Sequence, residues 1–144
     1  RDKHVTGVQT CALPIFAVMV EASVGGAQRI KVDRIFAAVD CGRVVNPDVV
    51  QQQIEGGLIF GMAGALGATT GFTGNMAEAR GFADLDLPRL ADTPEIMIEL
   101  IASEAEPGGV SELAVPPVAP AIANAIHAAP GVRLRQLPLI PGGE

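Results

Sequence analysis

One acidic side chain lies where a loop could present it to a ligand. Residues 104–112 read EAEPGGVSE, and Glu112 closes this glycine- and proline-containing segment. Gly108 and Gly109 allow the backbone to approach a ligand closely. A helix is predicted to begin about one turn further on, and the positive end of a helix dipole favours an ionised, proton-accepting carboxylate. These local features are compatible with a reactive carboxylate, but without further context a loop glutamate of this kind is usually a solvated surface acid.

Three further side chains have chemistry that catalysis or metal binding could use. Cys41 follows an apolar run, where a lone cysteine is usually a small buried hydrophobe. His127 lies on a predicted helix, where a satisfied or partly exposed histidine is expected rather than a general base. Asp40 ends a predicted strand and is expected to cap the turn that follows. No protein ligand to a metal is predicted, and Cys11 and Cys41 form no CxxC motif.

Composition limits the classes of partner. The chain has 144 residues, the size of one domain, with a net charge of −6, five Phe and no Tyr or Trp. A nucleic-acid partner is not expected, because basic clusters and aromatic stacking platforms are both lacking. Residues 56–77 carry no charge and contain Gly57-x-x-x-Gly61, the spacing of membrane helix dimers. Their second half is rich in glycine and threonine turns, so no membrane span is predicted.

Three strands are predicted to position the candidate residues. Phe16–Val24 and Gln28–Asp40 flank Gly25-Gly26 and are expected to form an antiparallel hairpin. Residues 35–39 are almost continuously apolar, which predicts burial on both faces of the sheet. Glu95–Ile101 alternates as a third strand, with its apolar side chains on one face.

Two helices complete the predicted fold, which is α+β with a mixed or antiparallel sheet. The first helix begins with Asn46 as the N-cap and Pro47 at the first position, and it runs to about Leu66. The second helix is predicted over Pro116–Ala129. Residues 132–140 are expected to form a short strand or an extended tail. The buried stripe of the first helix is predicted to comprise Val50, Ile54, Leu58, Met62 and Leu66.

Glycines interrupt the first predicted helix. Gly57, Gly61 and Gly64 lie beside its buried stripe. Each costs roughly 1 kcal/mol against alanine in a helix interior. This cost calls for a compensating gain, such as close approach of another backbone or of a bulky cofactor.

The first fifteen residues are interpreted separately. Residues 5–15, VTGVQTCALPI, resemble the translation of a sequencing-library adapter over eleven consecutive positions. Residues 1–15 are therefore expected to be a non-native leader, without an evolved packing partner. Residues 16–144 are then expected to be the C-terminal, incomplete segment of a longer domain.

Three blocks, taken in order, carry a resemblance to a known family. They are AVDCGRVVNPDVVQQQIEGGLIFGMAGAL over 38–66, RLADTPEIMIEL over 89–100 and PGGVSELAVPPVAPAIANAI over 107–126. They resemble the large, molybdopterin-binding subunit of molybdenum hydroxylases, the xanthine dehydrogenase and aldehyde oxidase family. The PPVAPAxANAI form is similar to the bacterial branch that contains isoquinoline 1-oxidoreductase beta subunits. The likeness spans essentially all of residues 16–138.

The resemblance implies an oxidoreductase that hydroxylates an N-heteroaromatic or aldehyde carbon, with water as the oxygen source. It implies molybdenum held by a molybdopterin, as the cytosine dinucleotide, and electron transfer to iron–sulfur clusters in a partner subunit. The chain alone is expected to be inactive, because further cofactor-binding segments of the family are missing from it. The compartment is left open between cytoplasm and periplasm, and the particular substrate is undetermined.

The resemblance also implies roles for individual residues. Glu112 aligns with the catalytic glutamate of the family, and Gln53 aligns with the glutamine before x-E-G-G that contacts the cofactor. Val110 and Ser111 are expected to present backbone groups to the pterin. The family usually reads G-E-P-G where this chain reads Ser111-Glu112-Leu113-Ala114, which puts the shape of the substrate side in doubt. The alternative is a free-standing, non-catalytic α+β binding or oligomerisation module derived from the same fold.

Overall fold

The computed structural model describes residues 5–8, 14–26, 29–128 and 131–141, with the backbone alone described for 5–8. The strands are β1 (Val5–Val8), β2 (Ile15–Val24), β3 (Ile30–Asp40), β4 (Phe72–Thr73), β5 (Met76–Ala77) and β6 (Glu95–Leu100), and the helices are α1 (Pro47–Leu66) and α2 (Val118–Ala128). Single 3₁₀ turns occur at Phe82–Asp84 and Leu90–Asp92. The predicted α+β class with two main helices is confirmed.

The main sheet has the strand order β1-β2-β3-β6. Strands β2 and β3 form the predicted antiparallel hairpin, with Phe16 opposite Val39 and a register shift between Glu21 and Ala22. Strand β6 pairs in parallel with β3, so that Leu100 lies opposite Val39. The sheet is therefore mixed, and its parallel pair brings the carboxyl ends of β3 and β6 to one edge.

Helix α1 begins where the sequence predicts. The Asn46 side chain accepts a hydrogen bond from the Val49 N–H at 3.2 Å, and Pro47 occupies the first helical turn. This satisfies one of the donors that a helix start leaves unpaired. The helix ends at Leu66, and the Gly67 N–H donates to the Ala63 carbonyl.

Both helices pack on one face of the sheet. Helix α2 lies against β2, and α1 contacts α2 and β6. The strands turn alternate side chains toward this core, as the period of two requires. The fully buried residues of the core include Phe16, Val18, Ile35, Val39, Ile54, Leu58, Val118, Ile122 and Ile126. Ile54, Leu58 and Met62 confirm the centre of the predicted helix stripe, while Val50 and Leu66 are partly buried at its ends.

The prediction that residues 35–39 are buried on both faces is wrong. Ile35, Ala37 and Val39 are buried, but Phe36 and Ala38 are only half-buried. Among the described residues, both helices pack against the face that carries Ile35, Ala37 and Val39. The outer face instead has an open cleft of about 330 Å³, lined by apolar side chains that include Met19, Phe36 and Met97.

One helix boundary also differs from the prediction. Helix α2 begins at Val118 rather than Pro116, since residues 114–117 form turns and proline has no N–H to donate. Of the two alternatives predicted for residues 132–140, the extended tail is confirmed, and the described part, 131–141, contains no strand. The Leu139 N–H of this tail donates to the Ala65 carbonyl at 2.8 Å.

The proposed leader falls mostly outside the described residues. Within it, β1 pairs antiparallel with β2, Val5 lying opposite Met19. The exposed edge of a sheet offers unpaired N–H and C=O groups to any extended segment, so this pairing is open to native and foreign sequences alike. The interpretation of residues 1–15 as a non-native leader stays a prediction.

Candidate functional site

The loop that carries Glu112, residues 101–117, is tied to the end of β3 by backbone hydrogen bonds. The Arg43 N–H donates to the Ala105 carbonyl at 2.9 Å, and the Gly108 N–H donates to the Cys41 carbonyl at 2.7 Å. These bonds extend the parallel contact of β3 and β6 beyond the ends of both strands. The start of the loop is therefore fixed by main-chain groups and does not depend on any side chain.

Gly42 lies at the centre of this attachment. It is buried and has a left-handed backbone, with φ +77°, and an added Cβ would overlap the carbonyl oxygen of Glu106. Its N–H donates to Asp40 Oδ1 at 3.0 Å, which confirms the predicted capping role of Asp40. Both the conformation and the space at this position require glycine.

The other end of the loop packs against the glycines of α1. A Cβ added at Gly57 would lie 2.9 Å from Ala114 Cβ, and one at Gly61 would lie 2.6 Å from the Val115 carbonyl oxygen. Close approach of another backbone, the gain predicted for these glycines, is confirmed at both positions. Gly64 is exposed, and no described atom lies within 4 Å of an added Cβ, so no backbone approaches it and the cofactor alternative stays a prediction there.

Glu112, Ser111 and Val110 lie between these two attachments. The Glu112 carbonyl accepts a hydrogen bond from the Val115 N–H at 3.0 Å, which closes a turn. The side chains of Glu112 and Ser111 are exposed, and Val110 is half-buried against the core. Among the described residues, the N–H groups of Val110 and Ser111 have no protein acceptor. The loop thus presents a carboxylate and two backbone donors to the outside.

Gln53 lies on the same face of α1 as Gly57, one turn nearer the helix start. Its side chain is exposed and has no hydrogen-bond partner among the described residues. Gln51, two residues earlier, instead donates to Glu55 Oε1 at 3.3 Å, so Glu55 has a partner on its own helix. Because Gly57 contacts the loop, the Gln53 amide and the loop lie on the same side of the helix.

Cys41 and His127 have structural surroundings, as predicted. Cys41 is 4% exposed, and burial raises the pKa of its thiol, with a smaller contribution from the Asp40 charge. His127 lies in the last turn of α2, where its Nδ1 is 3.1 Å from the Gly131 carbonyl oxygen that accepts the hydrogen bond. Neither side chain belongs to the Glu112 loop.

A second cavity, of about 590 Å³, lies beyond the C-terminal end of α1. Its floor includes Met62 and Leu139, and an ion pair of 3.1 Å between Arg29 and Asp86 lies on its exposed rim. No local sequence pattern indicates this cavity, because its walls come from four segments that are distant along the chain. The roles of Gly42 and Ala114 were missed as well. The only local signal for Gly42 is the Asp-x-Gly spacing, which is typical of a capped turn.

In ranges 14–26, 29–128 and 131–141, no three His, Cys, Asp or Glu side chains are grouped so that they could hold a metal ion. Neither helix in these ranges is long and apolar enough to cross a membrane.

Residues 2–94 match the family described as the molybdopterin cofactor-binding domain. The isoquinoline 1-oxidoreductase subunit beta of Brevundimonas diminuta is 35% identical over 112 residues, 78% of this chain and 14% of the relative. A membrane-bound aldehyde dehydrogenase of Gluconacetobacter polyoxogenes, whose name specifies pyrroloquinoline-quinone, is 36% identical over 135 residues, 94% of this chain and 17% of the relative. The aldehyde oxidoreductase structure from Desulfovibrio gigas superposes with a TM-score of 0.74 at 26% identity, over 87% of this chain and 14% of that one.

The chain belongs to the molybdopterin cofactor-binding domain family, since the match covers more than half of it. The resemblance to the molybdopterin-binding subunits of molybdenum hydroxylases is thereby confirmed. The chain spans only 14% to 17% of the length of these relatives. The family match ends before Glu112, whereas the alignment with the aldehyde dehydrogenase covers 94% of the chain.

The two attachments of the loop lead to a prediction about stability. Gly42→Ala should lower the free energy of unfolding by more than about 3 kcal/mol, because backbone strain and overlap with Glu106 act together. Gly74, with φ +58° and open space around it, is the matched control. Gly74→Ala should cost only about 1 kcal/mol, from backbone strain alone. Urea denaturation measures both, and equal losses would show that the contact with Glu106 contributes nothing.

The burial of Cys41 leads to a second prediction. In a Cys11→Ser background, the folded chain should react with a thiol reagent at least about tenfold more slowly than the urea-unfolded chain, below the ordinary thiol pKa of about 8.5. The raised pKa leaves less thiolate at any given pH, and the reagent has little access. The folded rate should rise as pH approaches the higher pKa. Equal rates in the two states would contradict the structural assignment of Cys41.

Proposed function

We propose that this chain is the part of a molybdenum-cofactor oxidoreductase subunit that carries the general base, Glu112, for hydroxylating an aldehyde or N-heteroaromatic carbon with water as the oxygen source. One observation carries the proposal. A loop fixed at both ends by backbone packing presents an exposed carboxylate and two N–H donors without a protein acceptor among the described residues, on the side of α1 that carries Gln53, in a chain of the molybdopterin cofactor-binding family.

The residues present fit such a cofactor. A pterin carries carbonyl and ring-nitrogen acceptors, and the N–H groups of Val110 and Ser111 face no protein acceptor among the described residues. The Gln53 side chain offers an amide donor and acceptor from the same side of α1. Gly109 leaves open space beside the loop, which allows a flat ligand to approach its backbone closely. In this arrangement the chain holds the organic ligand by hydrogen bonds.

When bound, the cofactor supplies the oxidising centre that takes two electrons from the substrate carbon. The protein's contribution is the transfer of a proton. The Glu112 carboxylate accepts the proton of the water molecule whose oxygen enters the product, and it does so from a loop whose position is set by the contacts of Gly108 and Ala114. The Gln53 amide orients the cofactor relative to that carboxylate.

The substrate class follows the names of the relatives, which specify isoquinoline and aldehydes. The cytosine dinucleotide form of the cofactor and an iron–sulfur partner subunit belong to the same proposal. One relative is named for pyrroloquinoline-quinone, but the family that this chain matches is defined by molybdopterin, and the proposal follows the family.

The test is Glu112→Gln in the full-length subunit assembled with its partner. Glutamine keeps the size and the hydrogen bonds of the side chain but cannot accept the proton. The rate of substrate-dependent cofactor reduction should fall by about 10² to 10⁴. This corresponds to roughly 3–5 kcal/mol of barrier, at 1.36 kcal/mol per decade. Molybdenum content should stay unchanged, since Glu112 does not hold the metal.

Glu104 and Glu106 lie in the same loop with exposed side chains and serve as matched controls. Their glutamine variants should retain the wild-type rate. The non-catalytic alternative predicts that all three variants behave alike. Wild-type activity of Glu112→Gln at matched molybdenum occupancy would therefore eliminate the general-base role and leave Glu112 a surface acid.

A further inference from the structure

We infer that Gly57 is a positioning residue: its contact with Ala114 sets the place of the Glu112 carboxylate relative to Gln53. The inference rests on the proposed function and deepens it. The glycine pattern of α1 predicts a close approach at Gly57 but does not identify the segment that makes it. The structure shows that Ala114 of the loop lies where a side chain at position 57 would otherwise be.

The contact is tight and buried. Ala114 is 1% exposed, and a Cβ added at Gly57 would lie 2.9 Å from Ala114 Cβ and 3.7 Å from its Cα. Two carbon atoms at optimal separation are about 3.5–4.0 Å apart, so the loop would have to move to admit a methyl group. The next turn of the helix adds a second contact, since Gly61 faces the backbone of Val115.

The same helix contains glycines that make no such contact. Gly56 and Gly64 are exposed, and an added Cβ would meet nothing within 4 Å at either position. Glycine weakens a helix equally at all of these positions. Of the four glycines in α1, only Gly57 and Gly61 have loop atoms in the space that a side chain would occupy. Comparing the two groups therefore distinguishes a positioning role from a general effect of glycine on helix stability.

Short and stiff connections lead from this contact to both functional side chains. Ala114 is two residues from Glu112, inside the turn closed by the hydrogen bond from the Val115 N–H to the Glu112 carbonyl at 3.0 Å. Gly57 is one helical turn from Gln53, a rise of about 6 Å along a rigid axis. A displacement of the loop at this contact therefore moves the Glu112 carboxylate but leaves the Gln53 amide in place on the helix.

The experiment moves one methyl group across the contact. Gly57→Ala, Ala114→Gly and the double variant are compared with wild type in the full-length subunit with its partner. Gly57→Ala should lower the rate of substrate-dependent cofactor reduction on the order of 10²-fold, the cost of a misplacement of about 1 Å. Ala114→Gly alone should keep a rate near that of wild type, because it causes no clash and glycine is the residue that the family usually has at this position. The double variant should recover most of the activity, since its methyl group fills the same space from the helix side.

Hydrogen exchange gives a readout independent of activity. The Val115 and Gly108 amides should exchange faster in Gly57→Ala and return toward wild-type rates in the double variant. Gly56→Ala and Gly64→Ala are the matched controls, and both should keep wild-type exchange and activity. Molybdenum content should be the same in all variants.

The outcomes separate this inference from the proposed function. An effect of Glu112→Gln together with wild-type activity of Gly57→Ala would overturn the positioning role alone. Failure of the double variant to recover, or equal losses in Gly64→Ala, would also overturn it, because a general effect on the helix would then suffice. Wild-type activity of Glu112→Gln would overturn the proposed function, while the exchange data would still show whether Gly57 fixes the loop.

Discussion

The structure depends on the close approach of two backbones, the third and fourth turns of α1 and the loop that leads into α2. Gly57 and Gly61 have no side chain at the point of contact, so Ala114 and Val115 lie directly against the helix. This lets α2 begin beside α1 and lie across β2, where both helices bury one face of the sheet. A methyl group at either glycine would separate the layers of the core as well as move the loop, since packed interiors transmit small changes in volume.

Patterns of short range predicted most of the fold. The hairpin of β2 and β3 follows from alternation around a glycine pair, and the start of α1 follows from Asn46 and Pro47, whose effects act within one turn. The predictions fail where burial depends on whether another element packs against the second face of the sheet. The apolar run 35–39 predicts burial on both faces of the sheet, yet both helices pack on one face. An apolar sequence alone does not specify which elements pack against each face.

For the candidate site, the sequence predicts the residues but not the contacts that position them. Glu112, Gln53, Val110 and Ser111 were selected by resemblance to family blocks, and that selection supplies residue types but no geometry. The contacts that place them join Gly42 to Glu106 and Gly57 to Ala114, each more than fifty residues apart along the chain. No periodicity or turn signal links such positions. For the Gly57 contact, the one available sign is that a glycine destabilises the helix unless a close contact compensates for it. The same sign applies to Gly64, where the structure shows only open space.

The general-base role that is proposed for Glu112 would require its carboxylate to have a fixed position. Glu112 is exposed and makes no buried contact through its carboxylate, so its precision must come from the main chain on either side. The hydrogen bond from Gly108 to Cys41 fixes one side through the sheet, and Ala114 against Gly57 fixes the other through the helix. Side chains of the loop are thereby left free for the ligand.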